Sequence, residues 1–111
     1  MKAEIFRSRM VREAVLGSLW LVDGAGADLG LSFEQLHRAF ATSRLEVSAA
    51  ELRRELADLE ADGLVNRRWD DGLDVHLYRL GKEARDFYRA GMPWGRVDRF
   101  TGRKSTLGGG Q

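Results

Sequence analysis

The sequence of 111 residues contains no cysteine, and this absence excludes several kinds of chemistry at once. Structural disulfides, zinc sites built on thiolates and thiol nucleophiles all require that residue. Long apolar runs are also missing: Arg12 and Glu13 interrupt the stretch from Met10 to Val22, and no segment approaches the roughly 20 apolar residues that span a bilayer. We therefore expect a soluble, unprocessed chain in the cytoplasm, with no membrane contact.

Histidine is scarce, and the motifs of common catalytic sites are absent. His37 and His76 are the only two histidines, and they are too far apart in the chain to pair as metal ligands on one helix. The glycines at Gly24 and Gly26 are not followed by the Lys and Ser/Thr of a phosphate-binding loop, and no nucleophile elbow occurs. We expect no enzymatic activity, no metal and no cofactor.

Four segments show the spacing of apolar residues that is typical of helices. They run from about Glu4 to Val22, from Phe33 to about Thr42, from Ser48 to Asp62 and from Lys82 to Ala90. Ser32 with Gln35, and Ser48 with Glu51, predict capping boxes at the starts of the second and third helices.

The stretch between the third and fourth helices predicts a β-hairpin. Its strands run from Leu64 to Trp69 and from Asp74 to Leu80, and Asp70-Asp71-Gly72 predicts a tight turn. Trp69 is expected to pack at the base of this hairpin, and Leu29 to Leu31 forms a very short strand. The predicted fold class is mainly α with a small antiparallel β-hairpin.

Charge and glycine content predict one domain, residues 1–93, and a basic, glycine-rich tail, residues 94–111. Residues 1–60 carry eight Lys and Arg against ten Asp and Glu, whereas residues 61–111 carry ten against seven. Positive potential is therefore concentrated in the second half of the chain, where the tail could contact nucleic acid or an acidic protein partner.

Two stretches resemble known proteins. Residues 51–65, ELRRELADLEADGLV, resemble the third helix and the start of the wing in winged helix-turn-helix regulators of the ArsR, MarR and PadR kind. Residues 78–87, YRLGKEARDF, resemble the passage from their wing into the closing helix, with Gly81 where the family usually has a capping Thr or Ser. Chain size and the basic residues 91–99 are similar to small winged-helix proteins encoded among the packaging and morphogenesis genes of Mu-like phages. The resemblance implies a winged helix-turn-helix.

In that family the third helix lies in the major groove of double-stranded DNA, and the wing touches the backbone or the minor groove. Because Leu52, Leu56 and Leu59 face the core, the helical wheel turns the opposite face to solvent. That face presents Ala50, Arg54, Ala57 and Ala61. The expected DNA contacts are Ser43, Arg44, Ser48, Arg53, Arg54, Arg67, Arg68 and Lys82.

The third helix is nevertheless acidic. Residues 48–62 carry five carboxylates against two arginines, a net charge of −3, and Glu51 and Asp58 flank the exposed face. Phosphates repel carboxylates, so more than one function stays open. The first is a homodimeric DNA-binding transcriptional regulator; the alternative is a protein-interaction module, for instance in phage packaging or assembly, that docks through its tail. A small-molecule sensor with a pocket between its helices is a third possibility.

The end of the first helix predicts the dimer. Val15 to Val22 is apolar on nearly every side, so in so small a domain its second face is expected to meet another copy of the chain. The expected dimer contacts are Val15, Leu19, Trp20 and Phe87.

Overall fold

A computed structural model describes residues 2–25 and 29–91. Its elements are α1 (Lys2–Ala25), α2 (Phe33–Ala41), α3 (Ala49–Ala61), β1 (Val65–Asp70), β2 (Val75–Leu80) and α4 (Lys82–Arg89). The described chain is mainly helical with a two-stranded antiparallel hairpin between α3 and α4, which confirms the coarse fold class. The basic tail 94–111, the domain boundary at 93 and loop residues 26–28 lie outside the described residues.

The hydrophobic core lies between α1 and the elements packed around it, because α1 contacts β2, α3 and α4. Leu52, Leu56 and Leu59 of α3 are buried, as the helical wheel predicts. The middle of α1 and the start of α4 complete this core. Its members include Val11, Val15, Leu16, Leu19, Leu36, Leu64, Leu80 and Ala84.

The two predicted capping boxes have different outcomes. At α2 the box is complete: Ser32 Oγ accepts the Gln35 N–H at 3.1 Å, and Gln35 Oε1 accepts the Ser32 N–H at 2.8 Å. At α3 Ser48 Oγ accepts the Glu51 N–H at 3.1 Å, but the reciprocal bond is replaced by contacts between the Glu51 carboxylate and Arg7. The second capping box was therefore wrong, because Arg7 provides Glu51 with a stronger, charged donor.

The hairpin pairs Val65 with Leu80 at its base and Asp70 with Val75 at its tip. Trp69 pairs with His76 beside the tip and is 48% exposed, so its expected place at the base was wrong. The physical reason is strand direction: β1 runs away from the core after Val65, its last buried residue.

The turn that joins the strands is longer than the sequence predicts. Asp74 belongs to the turn rather than to β2, and its φ of 59° places it in the left-handed region that a side chain disfavours. The turn is closed by two hydrogen bonds to Asp70: its carbonyl accepts the Asp74 N–H at 2.8 Å, and its Oδ1 accepts the Leu73 N–H at 3.0 Å.

The predicted short strand near residue 30 is a single antiparallel bridge between Leu31 and Tyr78. Their backbones exchange hydrogen bonds of 3.0 and 2.8 Å. Gly30 permits this close approach, because a Cβ there would lie 2.7 Å from the Tyr78 carbonyl oxygen. The bridge fixes the chain leading into α2 against the hairpin.

Gly81 begins α4 where the resembling regulators have a hydroxyl residue, and it makes no side-chain cap. Its N–H donates to the Leu64 carbonyl at 2.8 Å, and a Cβ at this position would collide with the Gly63 carbonyl oxygen. The end of α3 and the start of α4 are therefore in backbone contact, and only glycine fits between them.

Within residues 2–25 and 29–91, every helix is too short or too polar to cross a membrane.

Candidate functional site

The solvent-facing side of α3 carries Arg54 between short side chains. Ala50, Ala57 and Ala61 are exposed with it, in agreement with the helical wheel. The Arg54 side chain is 65% exposed, and its nearest carboxylate is Glu55, with 3.5 Å between Nη2 and Oε2. A contact this long at an exposed arginine contributes little stability, so the guanidinium is available to another partner.

Arg53 points to one side of this face and contacts α2. Its guanidinium carbon lies 4.2 Å from the centre of the Phe33 ring, and Phe33 in turn stacks on His37 with a ring separation of 5.9 Å. A cation–π contact at an exposed site is worth about 0.5–1 kcal/mol. Arg53 is thus held at the start of α2, whereas Arg54 is not.

Glu51, at the start of α3, is bound by Arg7 of α1. Arg7 Nε lies 2.5 Å from Oε2, its Nη2 lies 2.8 Å from Oε1, and Nη2 also donates to the Glu46 carbonyl. The hydrogen bonds from Arg7, reinforced by its charge, hold the pKa of the Glu51 carboxyl below its usual range. Glu51 is therefore a structural carboxylate of the α1–α3 contact.

Arg12 of α1 is buried and binds the carboxylates on the following turns of α3 and at its C-cap. Its Nε lies 2.8 Å from Glu55 Oε1, its Nη2 3.2 Å from Asp58 Oδ2, and its Nη1 3.7 Å from Asp62 Oδ2. Ser8 Oγ donates to Glu55 Oε1 at 3.0 Å. Glu55 is itself buried, so this cluster joins the acidic side of α3 to α1 inside the protein.

The fifth carboxylate, Glu60, lies 3.6 Å from Arg67 Nε of β1. Each acidic side chain of residues 48–62 therefore lies within ion-pair distance of an arginine from another element. Five carboxylates are matched by five arginines, two on the helix and three from its neighbours. The net charge of −3 counted along residues 48–62 is thus offset in the folded chain by the three arginines of neighbouring elements.

The expected DNA contacts in the turn before α3 have mixed surroundings. Ser43 Oγ lies 3.0 Å from the Phe40 carbonyl and accepts the Leu45 N–H at 3.1 Å, so this hydroxyl builds the turn. Arg44 is exposed and has no ion pair in the part of the chain that the structure describes. Ser48 is exposed but caps α3.

The remaining expected contacts lie near the other end of α3. Arg67 and Arg68 are neighbours on β1, so their side chains leave opposite faces of the hairpin. Lys82 Nζ lies 2.8 Å from Asp86, and Gly81 beside it touches Gly63 just beyond α3. Since α3 is about 20 Å long, Lys82 is separated by that length from Ser48. Ser43, Arg44 and Ser48 thus lie before α3, Arg53 and Arg54 lie on the helix, and Arg67, Arg68 and Lys82 lie on the elements that follow it.

Arg7 and Arg12 were missed in the sequence, although both determine what α3 presents to solvent. A signal existed: Arg12 interrupts the apolar stretch of α1 beside Val11, and Glu55 lies next to Leu59 at the edge of the apolar stripe of α3. A charged residue within or beside each of two apolar stripes predicts a buried pair.

Two of the expected dimer residues lie in the interior of the single chain, and the other two are partly buried against its core. Val15 and Leu19 are buried, which leaves them no surface for a second copy. Trp20 stacks on Tyr88 at 5.1 Å, and Phe87 meets the same ring edge-on at 6.5 Å. The exposed apolar side chains of α1 are instead Ile5, Phe6, Met10 and Leu21.

Two clefts lie near the turn that precedes α3. One, of about 570 Å³, contains the Arg7 and Glu51 pair together with His37. The other, of about 320 Å³, lies between α1 and the turn before α3, with Phe40 and Leu45 in its wall and Arg44 among its lining residues. Among the described residues no group of three or more His, Cys, Asp or Glu is placed to hold a metal ion.

No family model, curated protein or solved structure matches this chain.

Proposed function

We propose that the chain is a winged helix-turn-helix protein that binds double-stranded DNA as a homodimeric transcriptional regulator, with α3 in the major groove and the β1–β2 hairpin as the wing. One observation carries the proposal. The carboxylates of α3 are paired with arginines of neighbouring elements, and the helix leaves Arg54 and a row of alanines facing solvent. The acidity of the helix therefore does not oppose its approach to phosphates as the linear sequence implies.

Further support comes from exposed cations on the turn before α3 and on the hairpin that packs against it. Arg44 precedes α3 and Arg68 lies on the neighbouring strand, and both are exposed. Cations placed beside a reading helix neutralise phosphates and fix its position on the duplex without reading sequence. In this arrangement Arg53 stays packed on the Phe33 ring. Lys82 contacts at most the DNA backbone beyond the end of α3.

The proposed dimer uses the outer face of α1. Phe6, Met10 and Leu21 are exposed at positions i, i+4 and i+15, which places them on one side of α1 over about 22 Å of its length. An apolar stripe of that length suits antiparallel packing against its own copy. Sedimentation velocity tests it: the wild type should sediment as a dimer and Leu21→Glu as a monomer, and a monomeric wild type would overturn this part of the proposal.

Fluorescence anisotropy with a labelled nonspecific duplex tests DNA binding. At low salt we expect saturable binding whose affinity falls steeply as salt rises, because each neutralised phosphate releases a counterion. Arg44→Ala should weaken binding to all sequences alike, with Glu34→Gln, an exposed residue of α2, as the matched surface control. Absence of binding at low salt would overturn the proposal.

A second function is favoured by the tip of the hairpin. Trp69 is 48% exposed and Leu73 65% exposed, and they lie among Asp70, Asp71 and Asp74. An apolar surface ringed by carboxylates is suited to a basic protein partner rather than to phosphate. If Trp69→Ala leaves duplex affinity unchanged while Arg54→Ala abolishes it, the DNA function is supported and the tip lies off the duplex.

A further inference from the structure

We infer that α3 reads one guanine through Arg54 and thymines beside it through the methyl groups of Ala50 and Ala57; this rests on the proposed function and names the sequence class that the site prefers. The three side chains share the solvent-facing side of α3, and all three are exposed. An arginine that donates two hydrogen bonds to guanine O6 and N7 is the commonest specific contact in the major groove.

Arg54 is assigned this role, and Arg53 is not, because their surroundings differ. Arg53 is held over the Phe33 ring at 4.2 Å, away from the centre of the exposed face. Arg54 is 65% exposed and makes one long contact, 3.5 Å, to a carboxylate that Arg12 and Ser8 already bind. Its guanidinium can therefore leave the protein surface at little cost and reach a base edge.

The side chains on this face of α3 do not suit direct contacts to adenine or cytosine. Adenine is read by Asn or Gln, and α3 contains neither. Cytosine is read by Asp or Glu, but the one half-exposed carboxylate, Asp58, is bound to Arg12 at 3.2 Å. Alanine methyl groups pack on the thymine methyl group, so thymine is the base that Ala50 and Ala57 can prefer.

Spacing along the helix sets how far apart these bases lie. Ala50 lies about 6 Å before Arg54 along the helix axis and Ala57 about 4.5 Å after it, at a rise of about 1.5 Å per residue. Base pairs in DNA repeat about every 3.4 Å along each strand. The thymines are therefore expected within two base pairs of the guanine on each side.

The test begins by selecting tight-binding duplexes from a random pool with the full chain. We expect an enriched guanine with thymines within two base pairs. In the selected duplex, 7-deazaguanine at that position should weaken binding about tenfold, because N7 is lost as an acceptor. Replacing the flanking thymines with uracil, which removes only the methyl groups, should weaken it a few-fold.

Variants separate this inference from the proposed function. Arg54→Lys keeps the charge but loses the bidentate geometry, so it should lose the preference for the selected duplex and keep nonspecific affinity within about twofold. Arg38→Lys, at an exposed arginine of α2 outside the expected DNA contacts, is the matched control and should keep the preference. A selected site without guanine, or a preference unchanged in Arg54→Lys, overturns the inference and leaves DNA binding standing. No binding to any duplex overturns both.

Discussion

Arg12 of α1 and Glu55 of α3 form an ion pair in the interior, with 2.8 Å between Nε and Oε1 and side-chain exposures of 5% and 3%. Both charges lie next to leucines and valines of the core, where an unpaired charge is costly. The pair therefore specifies which side of α3 faces α1. It follows that this contact in the core also determines which side of α3 faces solvent, the side with Arg54 at its centre.

Single substitutions of this pair should be strongly destabilising, and unequally so. Arg12→Met leaves Glu55 with Ser8 and Arg54, whereas Glu55→Leu leaves Arg12 with Asp58 and Asp62. We expect a loss of about 3–5 kcal/mol in the free energy of unfolding for Arg12→Met and a smaller loss for Glu55→Leu.

Urea denaturation measures both losses, and the Arg12→Met/Glu55→Leu double variant completes the cycle with a loss well below the sum of the singles. Lys82→Met, at a side chain that is 87% exposed, is the control and should change stability by less than about 0.5 kcal/mol. Additive single losses would show that the two side chains do not interact.

The Arg7 and Glu51 pair should make the start of α3 sensitive to acid. The Glu51 pKa is lowered in the folded state by hydrogen bonds from Arg7, so the folded protein holds this proton less tightly than the unfolded chain. The stabilisation is therefore present above about pH 4.3, the ordinary value for glutamate, and is lost as pH falls through the lowered pKa. Carboxyl NMR titration should give Glu51 a midpoint below the ordinary range for glutamate, and Arg7→Met should return it to that range.

Gly81 should resist replacement by serine, a residue that commonly caps the start of a helix. A serine hydroxyl would improve the cap, but its Cβ would collide with the Gly63 carbonyl oxygen, which belongs to the backbone and cannot turn away. We expect Gly81→Ser to lower the free energy of unfolding by about 1–3 kcal/mol. Gly24→Ala, where a Cβ meets nothing within 4 Å, is the control, and a more stable Gly81→Ser would refute the close contact.

Asp58 is the carboxylate of α3 whose charge most affects the proposed DNA surface, because its side chain is 50% exposed. Asp58→Asn keeps the shape and removes the charge, so duplex affinity at low salt should rise about twofold, and the gain should shrink at high salt. Anisotropy titrations check this beside Glu83→Gln, an exposed carboxylate of α4. Equal affinity changes in the two variants would place α3 off the duplex.

The sequence predicts most of the fold because its signals are local. Ser32, Ser48 and Gly63 mark the ends of helices, and Leu52 with Leu56 and Leu59 marks the buried side of α3. Elements, their order and this stripe were confirmed to within a few residues. The strand boundary at Asp74 was wrong by one residue because a left-handed Asp is not visible in composition.

The site was harder to predict because it depends on contacts between distant residues. Counting charges along α3 predicts an acidic helix, but Arg12 lies 43 positions before Glu55 and neutralises it only in the folded chain. For the same reason Val15 and Leu19 looked like an interface, since the sequence does not say which elements already cover them. Trp69 was misplaced because an aromatic residue in a strand does not indicate which end of the hairpin meets the core.

Backbone amide NMR of the labelled protein with a duplex tests most directly our proposal that the arginine and alanine face of α3 contacts DNA. We predict that the largest shift changes fall on Ala50, Arg54 and Ala57, with smaller changes at Arg44 and Arg68. Changes confined to the hairpin tip around Trp69 and Leu73, or none at saturating duplex and low salt, would contradict it.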